Sequence, residues 1–222
     1  MEKTSDKLLS IETARSNAYR RLADAYRLPS DDLPGVVQAL EAALAQLGSE
    51  ALESATCLKK DGLGSSVLQV DYARLFIGPF MAPAPPYGSI YLEDKRRLMG
   101  DSTVDVRQHY LSLGLDLSPD FKEAPDHITA ELEFMHVLIN QGMEAIELSD
   151  GQMLSESIRH QRIFLAKHLG AWMPAFTGKI IEHARTDYYR HLATVTRTFV
   201  AEDMDGLPDL PSAEMTTAQA AS

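Results

Sequence analysis

The stretch that decides the fold is Tyr72-Ala-Arg-Leu-Phe-Ile-Gly-Pro79, followed after a proline-rich gap by Pro85-Pro-Tyr-Gly-Ser-Ile-Tyr91. The first half carries Leu75 and Phe76 in a helical pattern, and the Gly-Pro pair ends that helix. The prolines keep the following residues extended, because proline lacks a backbone N–H and fixes its own φ. The sequence therefore predicts a helix that leads into a stiff loop, which suits a fixed binding wall.

A second stretch, Glu123-Ala-Pro-Asp-His-Ile-Thr-Ala-Glu-Leu-Glu-Phe-Met135, predicts the start of a long helix. Pro125 suits the first helical position, where its missing N–H is not needed. That register places Asp126 and His127 in the first turn, where the helix dipole favours a carboxylate. Two interpretations remain open for this pair. It caps the helix, or it is a polar anchor at the rim of a groove, suited to an arginine or a peptide backbone.

Two shorter helices are predicted between these stretches. Ser89 can cap a helix that reaches Met99, because a serine hydroxyl accepts hydrogen bonds from helical N–H groups. Ser102 and Asp105 have the spacing of a capping box, which opens a helix through Leu113.

Helical periodicity continues outward over nearly the whole chain. Apolar residues recur at helical spacing from Leu8 to Tyr26, from Val36 to Leu47 and from Tyr189 to Phe199. We find no alternating strand pattern of useful length, no repeat and no interdomain linker. We therefore expect an all-α fold, a single globular domain of about nine to eleven helices over residues 1–204, with a disordered tail over 205–222.

Composition narrows the classes of function. Lys and Arg number 21 against 32 Asp and Glu, so the formal net charge is −11. This charge disfavours a nucleic-acid partner, whose phosphates would be repelled. It suits a basic partner, although solubility alone can account for it. Cys57 is the single cysteine, which excludes an internal disulfide and a cysteine cluster for zinc or iron–sulfur.

The distribution of apolar residues along the chain indicates the cellular compartment of the protein. The first residues lead into an amphipathic pattern rather than an apolar signal core. No apolar run approaches the length needed to span a bilayer. We expect a cytoplasmic protein without stable membrane insertion.

One metal motif is present, Glu133-x-x-His136, which has the spacing of half a di-iron bundle site. Such a site needs a second copy on another helix, and no other histidine follows a glutamate at this spacing. His127 and Glu131 can share a helix face, but they supply two ligands where zinc needs a third. We therefore expect no tightly held metal and no cofactor. A helical-bundle metalloprotein or enzyme that uses Glu133 and His136 is the alternative.

Motifs for catalysis are missing. There is no Gly-x-Ser-x-Gly elbow, and Cys57 has no histidine near it in sequence. Gly62-x-Gly64 follows no strand and lacks the Lys-Ser/Thr of a phosphate loop. We expect the protein not to be an enzyme.

Aromatic and methionine side chains bracket the proline-rich loop. They are suited to an apolar peptide site, or to packing of the loop onto the core. They are Phe76, Phe80, Met81, Tyr87 and Tyr91.

Four elements in this order resemble the TorD/DmsD-type chaperones, which mature molybdenum redox enzymes. The resemblance runs from about Tyr19 to Phe199. Its elements are Tyr72–Pro79, Pro86–Tyr91, Glu123 with Asp126 and His127, and Phe164 with His168, Leu169 and Trp172.

The resemblance implies an all-helical chaperone, monomeric or homodimeric. Such a chaperone binds the twin-arginine signal peptide and the apo form of a molybdopterin oxidoreductase until its cofactor is inserted. Guanine nucleotide binding, ascribed to some members, is not expected because no nucleotide motif is visible. A structural subunit of a respiratory complex is a further alternative. The expected binding residues are Leu75, Phe76, Phe80, Pro86, Tyr87, Tyr91, Glu123, Pro125, Asp126 and His127.

Overall fold

The computed structural model describes residues 2–61, 66–78, 82–94 and 98–208. Ten α-helices form within these ranges, and no β-strand does, so the predicted all-α fold is confirmed. The helices are α1 (Glu2–Ala25), α2 (Leu33–Leu47), α3 (Leu52–Cys57), α4 (Ser66–Tyr72), α5 (Ser89–Leu92), α6 (Asp101–Ser112), α7 (Ile128–Glu147), α8 (Gly151–Lys167), α9 (Leu169–His183) and α10 (Asp187–Gly206).

Aromatic side chains fill the core between the long helices. Helix α1 packs against α2 and α7, and α10 packs against α9 and α3. A fully buried large apolar side chain contributes about 1.5–3 kcal/mol through its removal from water. The largest fully buried side chains are Trp172, Tyr19, Tyr26, Tyr188, Tyr189, Phe164 and Phe176.

A glycine sets the direction of the loop after α4. A π-helical turn, Ala73–Ile77, continues α4 and ends at Gly78, whose φ is +61° and ψ 157°. Residues with a Cβ rarely adopt this conformation, so glycine is required here. The N–H of Ala84 then donates to the carbonyl oxygen of Leu75 at 3.0 Å. The loop therefore turns back onto the helix that precedes it.

The start of α7 differs from its prediction. Pro125 was expected at the first helical position, but α7 begins at Ile128 with His127 as its N-cap. The N–H of Gly88 donates to the carbonyl of Asp126, and the N–H of Ile128 donates to the carbonyl of Pro86, both at 2.9 Å. The predicted register was wrong because this pairing with the proline-rich loop holds the backbone before Ile128 out of the helix.

Glu93 replaces the predicted capping box of α6. Its carboxylate accepts hydrogen bonds from the N–H and the hydroxyl of Ser102, both at 2.8 Å. The N-cap is Gly100, without a side-chain cap. The helix predicted from Ser89 is shorter than expected, because Glu93 adopts an extended conformation and ends α5. The carboxylate of Asp105 instead lies 3.0 Å from the imidazole of His168.

The last helix ends at Gly206, and the next residues are held against α8. The guanidinium of Arg162 donates to the carbonyl oxygens of Leu207 and Pro208, at 2.7 and 2.9 Å. Residues 205–208 thus belong to the ordered fold, so the tail predicted over 205–222 starts too early. Residues 209–222 lie outside the described part, and their disorder stays a prediction. None of the helices described is both long enough and apolar enough to cross a membrane.

Candidate functional site

A groove of about 510 Å³ lies where the end of α1, the loop before α7 and the first turn of α7 meet. Half-buried Tyr72 and Phe121 supply an aromatic surface, and the core residue Tyr26 also lines the groove. Glu123 and His127 lie at the same groove. Its other lining residues are Arg27, Leu28, Asp116, Leu117, Ser118, Asp120, Thr129, Ala130 and Glu133.

Tyr87 connects the proline-rich loop to the acidic side of this groove. Its hydroxyl donates to a carboxylate oxygen of Glu123 at 2.5 Å. Its ring packs edge-on against the imidazole of His127, with 5.2 Å between ring centroids. Burial raises the pKa of the Tyr87 phenol, and the bond to Glu123 raises it further. The phenol is therefore a neutral hydrogen-bond donor that orients the carboxylate.

His127 caps α7 through one ring nitrogen. Its Nδ1 accepts from the N–H of Thr129 at 3.3 Å and lies 2.8 Å from the hydroxyl of Thr129. Burial lowers the pKa of His127 to about 4, so the ring is neutral at physiological pH. With Nδ1 acting as an acceptor, the proton of the neutral ring is on Nε2. His127 therefore offers an N–H donor rather than a positive charge.

The charge of the groove is negative. The carboxylates of Asp116, Asp120, Glu123 and Glu133 line it together with the guanidinium of Arg27. Arg27 forms an ion pair with Glu133, and Asp116 pairs with Arg107 from outside the groove, at 3.1 Å. Among the lining residues, carboxylates outnumber guanidinium groups four to one. A groove of this charge favours cationic ligands.

Asp126 lies behind the wall of the groove. Its side chain is buried, at 1% exposure, and one carboxylate oxygen accepts from the N–H of Ser89 at 2.8 Å. The other oxygen has no hydrogen-bond partner among the described atoms. In this conformation Asp126 fixes the position of α5 relative to the start of α7.

The remaining predicted site residues are divided between the core and the loop. Leu75 and Phe76 are buried in the core, and Phe76 packs against Tyr26. Tyr91 stacks on Trp172, with ring centroids 5.6 Å apart.

The two prolines act through their backbone. Pro86 is buried, and its carbonyl accepts from Ile128. The carbonyl of Pro125 accepts from the hydroxyl of Tyr110 at 2.9 Å. Phe80 and Met81 lie outside the described residues. The structure therefore brings Tyr87, Glu123 and His127 together at the groove.

Glu133 and His136 have separate partners. Glu133 pairs with Arg27 at the groove. The Nδ1 of His136 lies 2.7 Å from the hydroxyl of Ser16, which also donates to Asn140. These contacts fit the hydrogen-bonded histidine that is the usual role of such a motif on one helix.

Several groove residues were missed by sequence reasoning. Asp116, Asp120 and Phe121 fall in a segment predicted only as a loop. Tyr26 and Arg27 directly follow α1, which is far away in sequence. The sequence does contain one indication of these residues, namely the acidic residues on both sides of Phe121, the last of which is Glu123. Only the fold brings that cluster to the end of α1.

The chain belongs to the nitrate reductase delta subunit family, whose model matches residues 33–178. It is 28% identical over 219 residues to the chaperone protein TorD of Psychrobacter sp. (strain PRwf-1), covering 92% of this chain and 96% of that protein. It is 32% identical over 158 residues to the Tat proofreading chaperone DmsD of Salmonella typhi, covering 70% of this chain and 69% of the relative. The predicted family is confirmed.

A solved structure shares the fold. The putative redox enzyme maturation protein from Archaeoglobus fulgidus superposes with a TM-score of 0.54 at 22% identity. The match covers 84% of this chain and 93% of the other. The arrangement of helices is thus found in a protein of distant sequence.

Proposed function

We propose that this chain is a cytoplasmic, system-specific chaperone for a molybdopterin oxidoreductase. It binds the twin-arginine signal peptide, the apoprotein, or both, and it holds the client until the cofactor is inserted and export is permitted. The names of the relatives support this proposal, since TorD and DmsD are both called chaperones and DmsD is called a Tat proofreading chaperone. The function is binding and release, without catalysis.

The observation that carries the proposal is the acidic, aromatic groove beside Tyr87. A twin-arginine signal peptide has two adjacent guanidinium groups followed by an apolar segment. Guanidinium groups form paired hydrogen bonds with carboxylates and stack on aromatic rings. The carboxylates of Asp120 and Glu123 and the rings of Tyr72 and Phe121 offer both kinds of contact in one groove.

The wall around Tyr87 is set before the peptide arrives. Tyr87 and His127 form an isolated antiparallel bridge, and the Tyr87 hydroxyl orients Glu123. A pre-organised carboxylate loses little side-chain freedom when it binds an arginine. The neutral His127 ring leaves the negative charge of this wall uncancelled. We therefore assign arginine recognition to Glu123, with Tyr87 as its positioning residue.

Titration calorimetry with a synthetic twin-arginine signal peptide tests this assignment. Glu123→Gln should weaken binding by about 1–3 kcal/mol, the range for a hydrogen bond to a charged group. Tyr87→Phe removes only the positioning hydroxyl and should weaken binding by about 0.5–1.5 kcal/mol. A peptide with both arginines replaced by glutamine should bind wild type and Glu123→Gln with the same reduced affinity.

The matched control is Glu147→Gln, another exposed carboxylate on the surface. Glu147 ends α7, about 30 Å from His127 by the helical rise. This variant should bind the twin-arginine peptide like wild type. If Glu147→Gln and Glu123→Gln lose the same amount of peptide affinity, the loss is due to the overall charge of the protein, which contradicts the proposed site.

A further inference from the structure

A cluster of ligand-type side chains lies outside the groove, where α6 meets the junction of α8 and α9. It consists of Asp105, His109 and His168. Asp105 and His109 are four residues apart on α6 and therefore share a face. His168 occupies the break between α8 and α9, where its φ and ψ are −121° and −103°. The fold thus joins residues that share no motif in the sequence.

The three side chains of the cluster lie close enough together for one ion to reach all of them. One ligand atom from each residue lies within 4.8 Å of the others. Nε2 of His168 and Oδ2 of Asp105 are 3.0 Å apart. Ligands at the usual zinc distances, in tetrahedral geometry, are separated by about 3.3 Å. The pair of Asp105 and His168 already lies near this separation, and the pairs with His109, within 4.8 Å, have to close to it when an ion binds.

The contact between His168 and Asp105 is not an aligned hydrogen bond. Neither ring nitrogen of His168 has a hydrogen-bond partner in the part of the chain that the structure describes. The His168 side chain is nevertheless only 3% exposed, against 54% for Asp105. A buried imidazole without a hydrogen-bond partner is costly, and coordination of an ion would satisfy one of its nitrogens.

The surroundings give the cluster a closed side and an open side. The ring of Phe164 is fully buried and lies 5.2 Å from the His168 ring and 5.8 Å from the His109 ring, between centroids. The exposed carboxylate of Asp105 is on the side that solvent reaches. An ion can enter past Asp105, and the remaining coordination position can hold water.

We propose that Asp105, His109 and His168 bind one divalent transition-metal ion of the zinc type. Two imidazoles and one carboxylate form a borderline-soft ligand set, which suits Zn²⁺ or Co²⁺ rather than Mg²⁺ or Ca²⁺. This site is separate from Glu133 and His136 and independent of the proposed peptide site. It revises the expectation of no tightly held metal, which rested on sequence spacing alone. The bound ion would join α6 to the α8–α9 junction.

Cobalt absorption tests this proposal on protein freed of any histidine tag and stripped of metal with a chelator. We expect one Co²⁺ per chain, the intense visible bands of tetrahedral Co²⁺, and their loss on adding Zn²⁺. Asp105→Asn and His109→Gln should each weaken binding by about tenfold or more. Both changes fall at positions that are not fully buried, so circular dichroism of the metal-free variants should match wild type.

His183→Gln is the matched control, because His183 forms an exposed pair with Glu182 at 3.6 Å. It should bind Co²⁺ like wild type. Zn²⁺ should raise the thermal midpoint of wild type and of His183→Gln, but not that of His109→Gln. Weak octahedral spectra, or equal affinity in wild type, Asp105→Asn and His109→Gln, would overturn the proposal.

Discussion

The indole N–H of Trp172 donates a hydrogen bond to the carboxyl group of Glu131 at 2.9 Å, inside the core. Glu131 is fully buried, and its other oxygen has no hydrogen-bond partner among the described atoms. Burial raises the pKa of Glu131 well above its usual value. This bond joins α7 to α9 directly behind the loop that carries Tyr87, so the support of the candidate groove depends on it.

Gly88→Ala should disturb this support. A Cβ at Gly88 would lie 3.0 Å from Nε1 of Trp172 and 3.2 Å from a carboxyl oxygen of Glu131. Such crowding forces the neighbouring groups to shift, so we expect the free energy of unfolding to fall by about 1–3 kcal/mol. Urea denaturation measures this loss, and the indole fluorescence of Trp172 reports the local shift. Gly178→Ala, where the added Cβ meets no atom within 4 Å, should show no loss. If the two variants are equally stable, Gly88 is not constrained by this contact.

Asp126→Asn should affect stability more than peptide binding. The substitution places an amide N–H₂ group among buried atoms, while one Asp126 oxygen now accepts from Ser89. A mispaired buried polar group costs about 1–3 kcal/mol. The polar-anchor interpretation of Asp126, one of the two that the sequence leaves open, predicts instead a larger loss of binding than of stability. Thermal melts and calorimetry on the same sample compare the two effects. A normal melt beside a clear loss of peptide affinity would instead indicate direct contact between Asp126 and the peptide.

His127 should make the stability depend on pH. Burial lowers its pKa from 6.5 to about 4, so the unfolded chain binds a proton before the folded chain does. The stabilisation is therefore complete above pH 6.5 and is lost as the pH falls from 6.5 towards 4. The shift corresponds to at most about 3 kcal/mol.

The matched variant is His127→Asn, because asparagine can cap α7 through the N–H of Thr129 but does not titrate. Urea denaturation at several pH values should show a smaller acid loss in this variant than in wild type. If the free energy of unfolding depends on pH in the same way in both proteins, protonation of His127 is not a cause of the loss of stability in acid.

Two truncations test where the fold ends. Removal of residues 209–222 should leave the thermal midpoint almost unchanged, because this segment has few apolar residues. Removal from Gly206 onward also deletes buried Leu207 and the two carbonyls that accept from Arg162. Leu207 and Pro208 line a second cavity of about 500 Å³ beside Leu8 and Ile11. The longer truncation should therefore lower the free energy of unfolding by about 2 kcal/mol or more. A large loss from the shorter truncation would show that the tail packs against the fold.

Local sequence signals were sufficient to predict the all-α fold and the buried faces of its long helices, and insufficient to predict the start of α7 or the residues of the site. The spacing of Leu40, Leu44 and their neighbours encodes one buried helix face, which sequence reasoning reads directly. The start of α7 was misplaced because Ile128 pairs with Pro86, and no local rule predicts a distant backbone partner. The cluster of His168 with Asp105 was missed for the same reason.

The backbone pairing between the Tyr87 loop and the start of α7 also has a consequence for the order of events during synthesis. Ser89 and Asp126 are 37 residues apart in the chain, so the loop is made well before the segment that fixes it. The ribosome has to extend the chain beyond Ile128 before Gly88 and Pro86 can find their backbone partners. Until then Tyr87 has neither Glu123 nor His127 beside it. The Tyr87 wall of the candidate groove is thus a late product of translation, and a nascent chain that has not reached α7 does not yet present it.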